Sequence, residues 1–214
     1  MKLMSYSNVI NLAFKYVINT SKQFNIDESH SLKHSMDVFH TANKIYNSEL
    51  PNSPYLSTQK TIIDVSAILH DMCDKKYVDE CQSVDEMNKY MQPYITINEL
   101  NVVTKIISTM SYSTVTKHGF PIIPEYQLAY HIVREADLLC EFDPDRCIMY
   151  GMMKENLSYI DATKRAIPYL ENRVLQYIDN GLFITDYSKE QSVILHKECK
   201  LKLDALKQLV YYSS

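Results

Sequence analysis

Residues 62–76 read IIDVSAILHDMCDKK, an apolar run that ends in a histidine and an aspartate. The apolar residues recur at helical spacing, which predicts a central helix leading directly into His70 and Asp71. An imidazole and a carboxylate are both ligands of divalent transition metals, so this adjacent pair can bind one ion. The stretch therefore predicts a buried helix with a metal site at its end.

Two further ligand types lie in other helical segments. His34 lies one turn before Val38, on the apolar face of a segment that runs from about Ser29 to Tyr46. Asp137 lies in a segment that begins at about Glu125. With His70 and Asp71, these residues offer two nitrogen and two oxygen ligands, a set suited to one divalent cation.

The cysteines do not suggest zinc or disulfide chemistry. The chain has five of them and no C-x-x-C pair, so neither a zinc knuckle nor a disulfide framework is indicated. Because thiolate ligands are missing from the predicted set, we expect the ion to be Mn, Fe, Co, Ni or Mg.

The rest of the chain also reads as helix. Only three glycines occur, and the apolar spacing predicts an all-α fold with no significant sheet. Local signals predict where several helices begin and end. They are a cap at Ser57 or Thr58, capping boxes at Ser83–Glu86 and Thr96–Glu99, a loop from Ser111, a start at Asp143-Pro144, a helix from Asp161 to Asn180 with Pro168 as a kink and Gly181 as its stop, and a last helix from about Asp186 to Val210.

Length and composition are those of an ordinary globular domain. The chain has 214 residues, of which 46% are hydrophobic and 22% charged, and no linker or repeat divides it. We expect a single domain over 1–214, with the metal-site core at about 25–145 and C-terminal helices over about 145–214.

The charge pattern narrows the choice of partners. A formal net charge of −4 without a basic stripe disfavours nucleic acid, while a small anionic substrate remains compatible. No run is long enough to span a bilayer, and polar residues interrupt any signal-peptide core near the start, so we expect a cytoplasmic protein without a membrane partner.

Three stretches resemble motifs of one family. SHSLKH (29–34) is similar to the first ligand motif of the HD superfamily of metal-dependent phosphohydrolases, and AILHD (67–71) to the second. IVREAD (132–137) resembles the last ligand motif of a bacterial branch that includes nucleotide pyrophosphohydrolases. The resemblance covers most of the chain and implies an HD-domain helical bundle. Its H…HD…D ligand set corresponds to His34, His70, Asp71 and Asp137.

The resemblance implies a role for Asp74, and the position or charge of other residues near the ligands suggests further roles. His70 and Asp71 are expected to support catalysis as ligands of the ion that activates water, and Asp74, one turn after His70, to handle protons. Four further residues are candidates for substrate binding: His30, which extends the site by one turn from His34, and the cations Lys75, Lys76 and Arg134.

Two positions depart from that branch. Asp37 stands where an arginine is usual, and Leu138 where a basic residue is usual, which leaves the substrate and its phosphate-binding mode open. The resemblance implies hydrolysis of a phosphoester or phosphoanhydride, with a small phosphorylated compound such as a nucleotide as substrate.

Two alternatives remain. The first is a non-catalytic metal-binding or nucleotide-binding module in which the ligands have lost their activity. The second is a dinuclear iron oxygenase, which needs extra histidine ligands between the HD pair and the last aspartate, and only His118 and His131 are available for that role.

Overall fold

The computed structural model of the chain describes residues 5–212, which form ten α-helices and no strand. This confirms the predicted all-α fold. Residues 1–4 and 213–214 of the predicted single domain lie outside the described range. The helices are α1 Tyr6–Phe24, α2 Leu32–Glu49, α3 Lys60–Leu69, α4 Glu80–Met91, α5 Ile97–Thr109, α6 Tyr112–His118, α7 Gln127–Cys140, α8 Pro144–Lys154, α9 Tyr159–Asn172 and α10 Asp186–Lys207.

Helix α3 forms the centre of the fold, as its apolar run predicts. Every residue from Ile62 to Leu69 is buried, and α1, α2, α5 and α7 pack around it. A helix with apolar residues around most of its circumference must be enclosed by other elements, since any exposed apolar face would lie in water. His70 is therefore held at the end of the most enclosed helix.

One carboxylate is buried within α3 and is fully partnered. Asp64 forms an ion pair with Lys60 and accepts hydrogen bonds from the Tyr6 hydroxyl and, at 2.9 Å, from the Asn43 amide. A buried charge with several hydrogen-bonding partners is tolerated in a core. Asp64 thus fastens α1 and α2 to α3.

Two of the predicted helix starts are confirmed. Thr96 and Glu99 form the reciprocal capping box at the start of α5. The Asp143 carboxylate accepts a hydrogen bond from the Asp145 amide at the start of α8, and Pro144 is the first helical residue.

Two other predicted starts are wrong. Helix α4 begins at Glu80, capped by Asp79, and Ser83 lies inside it with its hydroxyl donating to the Asp79 carbonyl oxygen. Ser57 and Thr58 lie in the short 3-10 helix Pro54–Gln59, where their hydroxyls donate to carbonyl oxygens three residues back. In each case the hydroxyl bonds to a carbonyl rather than to free amides at a helix start.

Two boundaries also differ from the prediction. The stretch after Ser111, predicted as a loop, begins with helix α6, capped by the Ser111 hydroxyl. Helix α9 ends at Asn172 rather than Asn180, because the backbone of Arg173 leaves helical geometry at φ −126°. Pro168 lies inside α9, and Gly181 takes a positive φ of 65° that closes the turns following the helix.

Helices α8 and α9 approach each other closely at Gly151. A Cβ atom at this position would lie 3.0 Å from the Cβ of Ala162, which is tighter than normal side-chain packing. Because Gly151 has no side chain, α8 and α9 can pack at this short distance.

Within residues 5–212, no helix combines the length and the apolar character that crossing a membrane requires.

Candidate metal centre

Three helices bring a histidine or an aspartate to one point. His34 lies in the first turn of α2, His70 directly follows α3, and Asp137 lies in the last turn of α7. One potential ligand atom from each of the three residues lies within 4.8 Å of the others. The group is mostly buried and could hold a metal ion.

The distances between the ligand atoms suit a single ion. Nε2 of His34 lies 3.1 Å from Nε2 of His70 and 3.2 Å from Oδ1 of Asp137, and the distance from His70 Nε2 to that oxygen is 3.6 Å. Ligand atoms at about 2.0–2.2 Å from one cation stand roughly 3 to 3.5 Å apart, as simple coordination geometry requires. The three side chains are thus spaced like the ligands of one ion.

Asp71, the fourth predicted ligand, is adjacent to this group. Its Oδ2 lies 3.4 Å from His34 Nε2 and 3.3 Å from His70 Nε2. The atom is buried, and no hydrogen-bonding partner for it occurs among the residues that the structure describes. A buried carboxylate oxygen without a hydrogen bond is costly, and a bound cation would compensate for it.

The orientation of His70 leaves its other nitrogen available. Nδ1 lies 2.9 Å from the carbonyl oxygen of Ala67, which can only accept a hydrogen bond, so Nδ1 carries a proton and donates. In the neutral ring Nε2 then has a free lone pair directed at the other ligands. A backbone carbonyl that fixes the tautomer in this way is the usual partner of a metal-binding histidine.

The electrostatics of the group favour ionised carboxylates. Burial alone would raise the pKa of Asp137, but hydrogen bonds from His34 and His70 hold that pKa well below its usual range. Burial likewise opposes the protonation of His70, yet Asp71 and Asp137 raise its pKa well above the ordinary value. Burial lowers the pKa of His34, with Arg146 adding to the effect. The two carboxylates therefore hold positive charge between them, as a proton on His70 or as a cation.

A cavity of 210 Å³ opens at this group. A second cavity of 210 Å³ adjoins it. The walls of the two share the residues Asp71, Asp74, Lys76, Ser111, Tyr112, Asp137 and Arg173. Because both cavities include Asp71 and Asp137, a molecule bound in either one could contact the candidate metal centre.

Four of the residues predicted to bind substrate or handle protons line these cavities. Asp74 and Lys76 line both, His30 lines the first, and Lys75 lines the second. The Asp74 carboxylate accepts a hydrogen bond of 2.9 Å from the Lys76 amide and lies 3.2 Å from the Lys76 ammonium. The carboxylate is therefore held at the edge of the site by its neighbour.

His30 is oriented by a network of its own. The Ser29 and Tyr77 hydroxyls donate to Asp27, at 2.5 and 2.6 Å, and the Nδ1 of His30 lies 2.7 Å from the Ser29 oxygen. Since both hydroxyl protons go to Asp27, Nδ1 of His30 is the donor. Burial lowers the pKa of His30 to about 4, and the nearby Arg146 and Lys76 contribute to this effect.

Arg134 is not brought to the site. Its side chain is 1% exposed, donates to Glu135 at 3.0 Å and to the Leu182 carbonyl oxygen at 2.5 Å, and lies over the ring of Phe120. It lines neither cavity. Through the Leu182 contact, Arg134 links α7 to the segment before α10. The predicted role of Arg134 in substrate binding therefore does not fit its position.

Sequence reasoning missed the arginines of the C-terminal helices. Arg146 on α8 donates to the Ser29 carbonyl oxygen at 2.7 Å, and its guanidinium lies 3.6 Å from Asp71 Oδ2. Arg165 and Arg173 line the first cavity with it. A compositional signal was present: the chain has only four arginines, all of them between 134 and 173, although it has 22 lysines and arginines in total.

The histidines that an oxygenase would need lie elsewhere. His118 is exposed at the end of α6, and His131 packs against Phe120 and hydrogen bonds with Gln127. Neither of the two histidines lines either cavity at the candidate metal centre.

Comparison of the chain with protein-family models, with curated proteins and with solved structures found no match.

Proposed function

We propose that the chain is a metal-dependent phosphohydrolase of the HD type, with a small phosphorylated compound such as a nucleotide as its substrate. The observation that carries the proposal is the buried oxygen of Asp71, which lacks a hydrogen bond and lies within 3.4 Å of both His34 and His70. The arginine-lined cavity beside it supports an anionic substrate.

The ligand set in this proposal is His34, His70, Asp71 and Asp137. Two imidazoles and two carboxylates fit a divalent ion such as Mn, Fe, Co, Ni or Mg. Such an ion would lower the pKa of a water molecule and neutralise phosphate charge.

The side chains around the ligands have separate tasks in the reaction. In this proposal Arg146, which donates to the Ser29 carbonyl oxygen and lies near Asp71, binds the phosphoryl oxygens and offsets their charge. Asp74, which lines the cavity, takes the proton of the attacking water and returns a proton to the leaving oxygen. In this reaction the water oxygen forms a bond to phosphorus, and the bond between phosphorus and the leaving oxygen breaks.

We also propose a cytoplasmic location. All five cysteines are free thiols, as expected in a reducing compartment.

The test is a substrate panel with defined metals. The purified chain is stripped with a chelator and reloaded with each of the five metals, and phosphate or pyrophosphate release is measured from nucleotides and from p-nitrophenyl phosphate. We expect turnover with at least one metal, and its loss in Asp71→Asn. The matched control is Asp186→Asn, since the side chain of Asp186 is 87% exposed on α10.

A second variant tests the role of Arg146. Arg146→Lys keeps the charge but loses the planar fork that binds two phosphate oxygens, so we expect kcat/KM to fall by about tenfold or more with the metal content unchanged. Tight metal or nucleotide binding without turnover under any condition would exclude the proposed hydrolase activity. That result would support the alternative of a non-catalytic binding module.

A further inference from the structure

Three of the four arginines of this chain lie around one cavity. All four lie between 134 and 173, and three of them line the cavity at the candidate metal centre. Elsewhere the chain uses lysine for positive charge. Arginine differs from lysine in presenting a rigid planar set of donors that matches phosphate and carboxylate. This distribution indicates that the cavity binds an anion with directed hydrogen bonds.

Arg173 is held in place by four neighbouring side chains. Its guanidinium carbon lies 4.4 Å from the ring centre of Tyr112 and 5.0 Å from that of Tyr169. Its Nε donates to the Tyr177 hydroxyl at 2.9 Å, and its Nη2 donates to Glu141 at 3.3 Å. The orientation of the guanidinium is therefore fixed before any ligand binds.

One donor group of Arg173 remains available. Among the residues that the structure describes, none accepts a hydrogen bond from its Nη1. The side chain is 31% exposed and lines both cavities. A guanidinium that is stacked, anchored on two sides and open on the third is preorganised to bind an anion.

Arg173 is separate from the position of Arg146. Arg146 lies beside Asp71, whereas Arg173 is anchored to Glu141, which follows Asp137 by four residues, about 6 Å along a helix axis. The two arginines are therefore anchored to different carboxylates, so a ligand with two anionic groups could bind to both.

The charge of the first cavity is compatible with an anionic ligand. Its lining contains four cationic side chains, Lys76, Arg146, Arg165 and Arg173, and four carboxylates, Asp71, Asp74, Asp137 and Glu141. These formal charges cancel, so a divalent cation at the candidate metal centre would leave a net positive charge that attracts an anion.

We propose that Arg173 is a specificity-determining residue that binds a second phosphate group of the substrate, beyond the phosphate that is cleaved. This rests on the proposed function and narrows its substrate class to compounds with two phosphate groups. The second group comes either from a diphosphate chain or from a separate phosphorylated hydroxyl of the same molecule.

The first test measures binding, so it does not depend on activity. Magnesium-saturated protein is titrated with inorganic pyrophosphate and with orthophosphate in a calorimeter. We expect Arg173→Gln to weaken pyrophosphate binding by about tenfold to a hundredfold and orthophosphate binding by no more than about twofold, because only pyrophosphate reaches both groups.

Lys189→Gln is the matched control. Lys189 is exposed on α10, forms an ion pair with Asp186 and lines neither cavity, so we expect its loss to change neither affinity by more than about twofold. If Arg173→Gln does not fold, Arg173→Lys replaces it, with the same preferential loss of pyrophosphate binding.

The second test compares substrates. A nucleoside diphosphate, a nucleoside bisphosphate with its phosphates on separate hydroxyls, and a nucleoside monophosphate are compared by kcat/KM in the wild type and in Arg173→Gln. The substrate whose kcat/KM falls most identifies the source of the second phosphate. Equal losses for all three, or equal pyrophosphate and orthophosphate losses, overturn the proposal. If Arg173→Gln weakens pyrophosphate binding preferentially but the wild type turns over no substrate, the proposed hydrolase function is excluded. The proposed role of Arg173 in binding a second phosphate then still stands.

Discussion

The Nε2 atoms of His34 and His70 lie 3.1 Å apart, although 36 residues separate the two histidines in the chain. Two neutral imidazoles that face each other with lone pairs repel, so this distance requires a proton or a cation between the two nitrogens. The side chains that approach both rings, Asp71 and Asp137, are anionic, which makes a cation the better match.

Removing one of these imidazoles is expected to remove the metal. His70→Ala deletes a ligand and leaves two carboxylates facing His34, so we expect metal affinity to fall by about a hundredfold or more. Elemental analysis after dialysis against buffered metal measures this. His40→Ala is the control, because His40 is exposed on the same helix as His34. Stoichiometric metal in His70→Ala would contradict the assignment.

Removing the metal itself is expected to lower stability. A ligand present at a hundred times its Kd stabilises the folded state by about 2.7 kcal/mol, which corresponds to roughly 5 to 10 °C in Tm for a chain of this length. We expect a chelator to lower Tm by this amount and excess divalent metal to restore it. Calorimetry of wild type and Asp137→Asn checks the prediction, since the variant should show little response to either addition.

A larger residue at Gly151 is expected to separate α8 from α9. A Cβ there would lie 3.0 Å from the Cβ and 3.3 Å from the Cα of Ala162, so Gly151→Val forces the helices apart at a cost of about 1–3 kcal/mol in unfolding free energy. Urea unfolding measures this cost. The control is Met152→Val, the same new side chain at the next, exposed position, where we expect a change within about 0.5 kcal/mol. Equal effects of the two substitutions would show that the close approach is not limiting.

His131 is expected to make the fold sensitive to acid. Burial, with Arg134 nearby, lowers its pKa from 6.5 to about 4. Glu135 is a second charged group near the ring, 3.7 Å from Nδ1. Between pH 6.5 and pH 4 the unfolded chain takes up a proton at His131 that the folded chain does not, so stability is present above pH 6.5 and is lost as the pH falls.

The effect of His131 can be isolated by substitution. Between pH 7 and pH 5 the wild type should lose about 2 kcal/mol more unfolding free energy than His131→Gln, as the linkage relation gives for this shift. Urea unfolding at both values measures the difference. Parallel losses in the two proteins would show that His131 does not stay neutral in the fold.

The helices that hold the candidate ligands could be predicted because their signals are local. The apolar run before His70 indicates an enclosed helix, and His34 and Asp137 lie in segments whose helical spacing is clear from the sequence. The capping box at Thr96 is likewise complete within four residues. Helix α6 has only seven residues, too few for a periodic pattern to stand out.

The cavity walls could not be predicted in the same way. Arg146 and Arg173 reach the candidate metal centre only because α8 and α9 pack against each other and against the rest of the fold. Arg134 shows the converse, since it is three residues before Asp137 but bonds to the Leu182 carbonyl oxygen. Closeness to Asp137 in the sequence therefore led to the wrong arginine as the predicted substrate-binding residue. The three arginines that do line the cavity are brought there by tertiary packing.

The position of His70 at the end of α3 has an electrostatic consequence of its own. The peptide dipoles of a helix add up to a partial negative charge at its carboxyl end, and this end of α3 adjoins the candidate ligands. Because α3 is enclosed by protein along most of its length, little solvent screens that charge. Part of the attraction for a cation therefore comes from the backbone, and it would persist after any one ligand side chain was replaced.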